Sequence, residues 1–253
     1  VKTGHCKRFL KNGLAKMYLN SITLSPERIQ KLQEIASTSI GPLIEGAIKY
    51  TIPLAVIAFI IGLTIAIFTA LARISSSKIL RGIARVYVSI IRGTPLLVQL
   101  FIIFYGLPTI GIVIDPFPAA VIGFSLNVGA YASEIIRAAI LSIPKGQWEA
   151  AYSIGMNYSQ ALWKIVLPQA ARVSVPPLSN SFIGLVKDTS LAATILVAEA
   201  FRRAQEIASF NYEFLFVYIM AAIVYWVICF ILSIIQGRVE SRLDRSVGKG
   251  GVS

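Results

Sequence analysis

Residues 50–72 contain no charged side chain, and similar charge-free apolar runs occupy residues 93–114, 116–133 and 214–235. A helix needs about 20 apolar residues to cross roughly 30 Å of hydrocarbon, so each run reads as a membrane span. Within lipid the backbone must satisfy its own polar groups, which leaves helices as the fold for runs of this kind. Composition agrees, with 56% hydrophobic and 14% charged residues, against about 25% charged in soluble domains. That balance excludes a disordered chain, a collagen-like fibre and a disulfide scaffold. The expectation is an all-α, polytopic membrane protein of about five transmembrane helices.

The runs differ in clarity. The first and last are plain spans. The second starts earlier, because residues 86–91 are also apolar, and is expected to end near Gly106, where Gly-Leu-Pro breaks it. The third extends through Glu134 and Arg137 to about Ile140. A further span over residues 176–198 is interrupted by Pro176, Pro177, Lys187 and Asp188. Such groups are tolerated in a span only where they face protein or a water-filled path. The expectation is a broken helix, with backbone carbonyls freed at the two prolines.

Lys and Arg gather on the cytoplasmic side of membrane proteins. In a five-span arrangement one side holds Arg73, Lys78, Arg81, Arg85 and Arg92, then Arg137, Lys145, Lys164 and Arg172, then Arg238, Arg242, Arg245 and Lys249. The opposite side holds only Arg202 and Arg203. This places residues 141–172 and the C-terminus in the cytoplasm, and the N-terminus, Asp115 and Arg203 outside. It also accounts for the net charge of +12 without a nucleic-acid partner. The basic residues of segment 1–49 oppose this count. Ser25, Pro26 and Glu27 there read as a helix start, and residues 25–37 as an amphipathic helix presenting Ile29, Leu32 and Ile35/Ala36. The basic stretch is not followed by the apolar core or cleavage site of a secretory signal. The resulting division is an extension with an amphipathic helix (1–37), a transmembrane domain (38–245) and a tail (246–253).

Several chemistries are excluded. His5 is the only histidine, so no intrachain histidine cluster holds zinc and no catalytic triad has a base. Cys6 and Cys229 are expected to be unpaired. No phosphate-cradling Gly-Lys-Ser or Gly-Lys-Thr loop is present, so energy must come from another protein.

The loop at 141–172 predicts a short helix after Pro144/Gly146, a break at Gly155 and a second short helix stopped at Pro168. Glu149-Ala150-Ala151, Gly155 and Ile165-Val166-Leu167-Pro168 together resemble the EAA loop of ATP-binding-cassette (ABC) importer permeases. The stretches IRGTPLLVQL (91–100), AYASEIIR (130–137), KGQWEAA (145–151), LPQAAR (167–172) and LVKDTSL (185–191) resemble the polar amino acid branch. Residues 176–203 are most similar to the L-cystine permeases. The first 25 residues have no counterpart in that pattern and are given no function.

The resemblance implies a type I ABC importer permease fold in a bacterial inner membrane, with Glu149, Ala150, Ala151 and Gly155 as the ATPase-coupling residues. It implies two ATP-binding subunits, a second permease (a copy or a paralogue) and an extracytoplasmic substrate-binding protein. ATP and Mg belong to the ATPase partner, and no cofactor or metal is expected on this chain. The substrate is a small polar amino acid. Cystine leads, and glutamine, arginine and histidine stay open. A stand-alone carrier or a scaffold subunit is the alternative of another class.

Moving a zwitterion through hydrocarbon requires fixed polar groups in place of water. Asn127, Tyr131 and Glu134 are spaced four and three apart, so they share one helix face. With Ser179, Asn180 and Ser181, Asn127 and Tyr131 are the candidate pathway residues. Glu134, Arg137, Lys187, Asp188 and Thr189 are candidates for structural or gating roles, with Glu134–Arg137 as an internal ion pair. Lys187 and Asp188 are adjacent and cannot face each other on one helix. Arg92 is expected to anchor the start of the second span at the cytoplasmic interface.

Overall fold

The computed structural model describes residues 26–247. Ser25, Cys6, the basic extension and the end of the tail lie outside that range. The described residues form helices α1 (Pro26–Gly46), α2 (Ile52–Ile74), α3 (Lys78–Gly93), α4 (Leu96–Phe101), α5 (Pro116–Leu141), α6 (Lys145–Ser153), α7 (Tyr158–Ala161), α8 (Leu167–Asp188), α9 (Ala200–Asn211) and α10 (Phe214–Val247). Three helices are long and apolar enough to cross a membrane, and counting each of two bent helix pairs as one span brings the number to five. The five-span expectation holds.

Four local expectations are corrected. The amphipathic segment does not stop before the first span: Pro26–Ile74 is one continuous helix. Its inner face carries Leu32, Ile35 and Ala36, while Ile29 is exposed. The second span is two helices, Lys78–Gly93 and Leu96–Ile110, bent by 102°. Pro95 forces Thr94 into an extended conformation. Gln99 then donates to the carbonyls of Ile91 (2.8 Å) and Thr94 (3.1 Å), satisfying groups that the bend orphans.

The helix after Gly155 is not stopped at Pro168, and the fourth span is not broken at its prolines. Residues 158–195 form one helical unit, and α8 passes through Pro176 and Pro177. The break comes later, at Leu196–Glu199, where the axis turns by 51° into α9. A proline ring clashes with the carbonyl four residues earlier and donates no hydrogen bond. At three sites a π-helical turn relieves this: Ala47–Thr51 before Pro53, Ile102–Gly106 before Pro108 and Leu162–Val166 before Pro168. In each case the clashing carbonyl (residue 49, 104 or 164) is the middle residue of the widened turn.

Small residues bring the spans close, as membrane helices require where apolar burial alone gives no drive to associate. Ala55, Ala58 and Ala66 of α2 are fully buried with Ala119, Ala120, Phe124 and Ala132 of α5. Gly62 is obligatory there, because a Cβ would lie 2.6 Å from the Val128 side chain. A second cluster joins Ile35 and Leu43 of α1 to Ala204 and Ala208 of α9 and to Val217 and Ala221 of α10. Most of α10 is exposed on the outside of the bundle, with Trp226, Phe230, Ile231 and Ile235 facing outward, as expected of a lipid-facing helix.

Candidate functional site

One groove of about 530 Å³ runs between α5 and α8 and is closed at one edge by Arg92 at the end of α3. On α5, Asn127, Tyr131 and Glu134 line it, in line with their common helix face. On α8 the lining residues are Ser181, Gly184, Leu185 and Asp188, at intervals of three and four. The Arg92 guanidinium sits 5.2 Å from the Tyr131 ring centroid, a distance that attracts a cation to the ring face. Arg92 is therefore a groove residue and not only an interfacial anchor, because the bend at Gly93–Pro95 sets the α3 terminus against α5.

The groove's charges differ in how they are used. Glu134 is held between two guanidiniums, Arg73 at 2.8 Å and Arg137 at 3.0 Å. The expected Glu134–Arg137 pair is present, and Arg73 is the partner that local spacing does not reveal. Arg92 and Asp188 make no ion pair among the described residues. The groove thus presents a cation held over the Tyr131 ring and a carboxylate, neither of them in an ion pair among the described residues.

Other candidates lie elsewhere. Ser179 lines a separate apolar cavity of about 430 Å³ with Phe59, Phe182 and Leu232. Asn180 is exposed and accepts a 3.0 Å hydrogen bond from Gln236 of α10. Three consecutive helical residues point in three directions, so only Ser181 joins Asn127 and Tyr131. Lys187 lines a third cavity of about 570 Å³ with Ser190, Tyr225 and Cys229. Adjacent Lys187 and Asp188 thus serve different surfaces, as their spacing requires. Thr189 is buried and donates to the Val186 carbonyl at 2.7 Å. Cys229 is a free thiol.

The second element is the α6 loop. Pro144 precedes α6, and the helix ends where the Gly155 N–H donates to the Tyr152 carbonyl and the Met156 N–H to the Ala151 carbonyl. Gly155 has φ +81°, the left-handed conformation that closes such a C-terminus. Asn157 and Gln160 then form a reciprocal capping box at 2.9 and 3.0 Å, which starts α7. Ile140, Ile143, Leu162 and Val166, with Trp148 packed on them, fix the loop to the ends of α5 and α8. Glu149, Ala150 and Gly155 are exposed, whereas Ala151 is buried. The loop offers another protein an acidic residue beside a small-residue surface, on a helix of fixed orientation.

Residues 62–245 match the family described as the inner membrane component of binding-protein-dependent transport systems. The chain is 57% identical to the L-cystine transport system permease protein TcyB of Bacillus subtilis, over 92% of this chain and all of that protein. It is 40% identical to the glutamine transport system permease protein GlnP of Escherichia coli K12, over 79% of this chain and 92% of GlnP. Among solved structures, the crystal structure of an amino acid ABC transporter with histidines superposes with a TM-score of 0.78. It is 37% identical, with 83% of this chain and 97% of that chain covered. An inward-facing structure of the MetNI methionine ABC transporter shares the fold at TM-score 0.64 and 17% identity, with 84% of this chain and 98% of that chain covered. The chain belongs to the inner membrane components of binding-protein-dependent transport systems.

Proposed function

We propose that this chain is the permease subunit of an ATP-driven importer of L-cystine. The observation that carries the reading is the likeness to TcyB along the whole length of that protein. The groove chemistry supports it. L-cystine carries a carboxylate and an ammonium at each of its two ends, and Arg92 and Asp188 beside Asn127, Tyr131 and Ser181 complement the pair at one end. Each side chain replaces hydration that the substrate loses on entering the bundle.

In this reading α6 docks on one of two ATP-binding subunits through Glu149, Ala150 and Gly155, with Ala151 fixing the helix from beneath. ATP and Mg stay on those subunits. A second permease, a copy or a paralogue, completes the path, and an extracytoplasmic binding protein delivers the substrate. The protein sits in the bacterial cytoplasmic membrane with the α6 loop and C-terminus inside, as the distribution of Lys and Arg directs.

The test is ATP hydrolysis by the complex purified with its ATPase and binding protein, measured with L-cystine, glutamine, arginine and histidine in turn. Cystine is expected to stimulate most. Stimulation by another amino acid with no response to cystine overturns the cystine assignment, and no response to any of them overturns the import reading.

A further inference from the structure

A second polar centre lies away from the groove. Glu199 is fully buried, and no basic side chain pairs with it among the described residues. Its carboxylate accepts hydrogen bonds from three parts of the fold instead. The Arg202 N–H of α9 donates at 2.7 Å, the Thr51 hydroxyl of the first π turn at 3.3 Å, and the Tyr225 hydroxyl of α10 completes the set. The Thr51 hydroxyl in turn accepts the Ala200 N–H at 3.3 Å. A buried polar group left without its partner is costly, so these contacts hold or fail together.

What they hold is α9. The α6 loop joins α5 to α8 at one end of the bundle, so the chain leaves α8 for α9 at the opposite end. Leu196 (φ 67°) and Tyr212 (φ 57°) flank α9, and they are the two non-glycine residues with positive φ among the described residues. Its remaining attachment is mainly apolar, through Ala204 and Ala208 against Ile35, Leu43, Val217 and Ala221. Apolar contacts between small side chains are not directional, whereas the Glu199 contacts fix one position. α9 is a helix between two strained joints, fastened at its first turn.

We propose that the Glu199–Thr51–Tyr225 cluster is a lock that fastens α9 to α1 and α10 at the end of the bundle opposite the α6 loop, and that the transport cycle opens and remakes it. The proposal rests on the transport reading above. It assigns a role in gating to Glu199, Thr51 and Tyr225, which lie outside the groove and the coupling loop.

ATP hydrolysis and uptake by the assembled complex test the lock. Tyr225→Phe and Thr51→Val each remove one donor and are expected to raise ATP hydrolysis without substrate roughly fivefold at normal complex yield, the shift that one lost hydrogen bond gives. Normal basal hydrolysis in both, whether or not yield falls, makes the cluster a packing feature and overturns the lock. If the parent complex takes up no amino acid, the transport reading falls while basal hydrolysis still judges the lock.

Discussion

Arg73 at the end of α2 and Glu134 on α5 meet at 2.8 Å, and the same carboxylate holds Arg137 at 3.0 Å. One carboxylate therefore pairs with two guanidiniums, leaving one net positive charge where the groove approaches the α6 loop. The side chains of Arg73 and Glu134 are 18% and 20% exposed, so water screens the pair less than at an open surface. Glu134→Gln leaves two partly buried cations without their partner. A lost charged hydrogen bond costs about 1.5–3 kcal/mol, and that corresponds to a melting temperature lower by about 3–10 °C. Thermal unfolding of the detergent-purified complex checks this. An unchanged melting temperature means the triad does not stabilise the fold.

Gly155 is held at φ +81° with open space where a side chain would project. The penalty on substitution is therefore backbone strain and not a clash. Leucine at this position costs about 1–3 kcal/mol, while asparagine tolerates the conformation better. Membrane insertion is expected to survive in both. Co-purification of the ATPase subunit should fall in the order glycine, asparagine, leucine. Equal co-purification across the three removes Gly155 from the coupling surface.

Asn180 provides a control for the groove. Its carbonyl is engaged by Gln236 at 3.0 Å, and the residue lies off the groove face. Asn180→Leu and Ser179→Ala are expected to leave uptake per folded complex within about twofold, since neither removes a substrate contact worth more than the few tenths of a kcal/mol typical of surface changes. A loss of roughly tenfold or more in either would move the path to the other face of α8.

The five spans are legible in the sequence because charge-free runs of spanning length leave little choice of fold. The continuity of two long helices is not, because proline is a local stop signal and the π turns that relieve it leave no residue signature of their own. Asn127, Tyr131 and Glu134 are legible as one face, since helical periodicity alone sets it. Ser179, Asn180 and Ser181 cannot be sorted without knowing which side of α8 meets α5. Arg73 and Glu199 depend on contacts distant in sequence. For Glu199 a signal was available: a lone acid within the apolar stretch ILVAEAF (195–201), of the kind that has a specific role inside a membrane protein.

The proposed sidedness, with the α6 loop in the cytoplasm, rests on the basic residues around that loop. Asp115 precedes α5 and Ser159 lies in α7, with α5 running between their two ends of the bundle over about 39 Å. A membrane-impermeant thiol reagent added to intact cells should modify an Asp115→Cys chain and spare a Ser159→Cys chain, both in a background without the native cysteines. The reverse pattern inverts the protein, and labelling at both sites contradicts the five-span arrangement.

The groove as the substrate path is tested most directly by ATP-driven uptake of labelled L-cystine into proteoliposomes carrying the complete complex. Arg92→Gln and Asp188→Asn each remove a groove charge that makes none of the Glu134 ion pairs and lies outside α6. Each lost charged contact is expected to lower uptake roughly 10- to 150-fold, with complex yield and basal ATP hydrolysis retained. Uptake at the parent rate in both variants, in fully assembled complexes, contradicts the account.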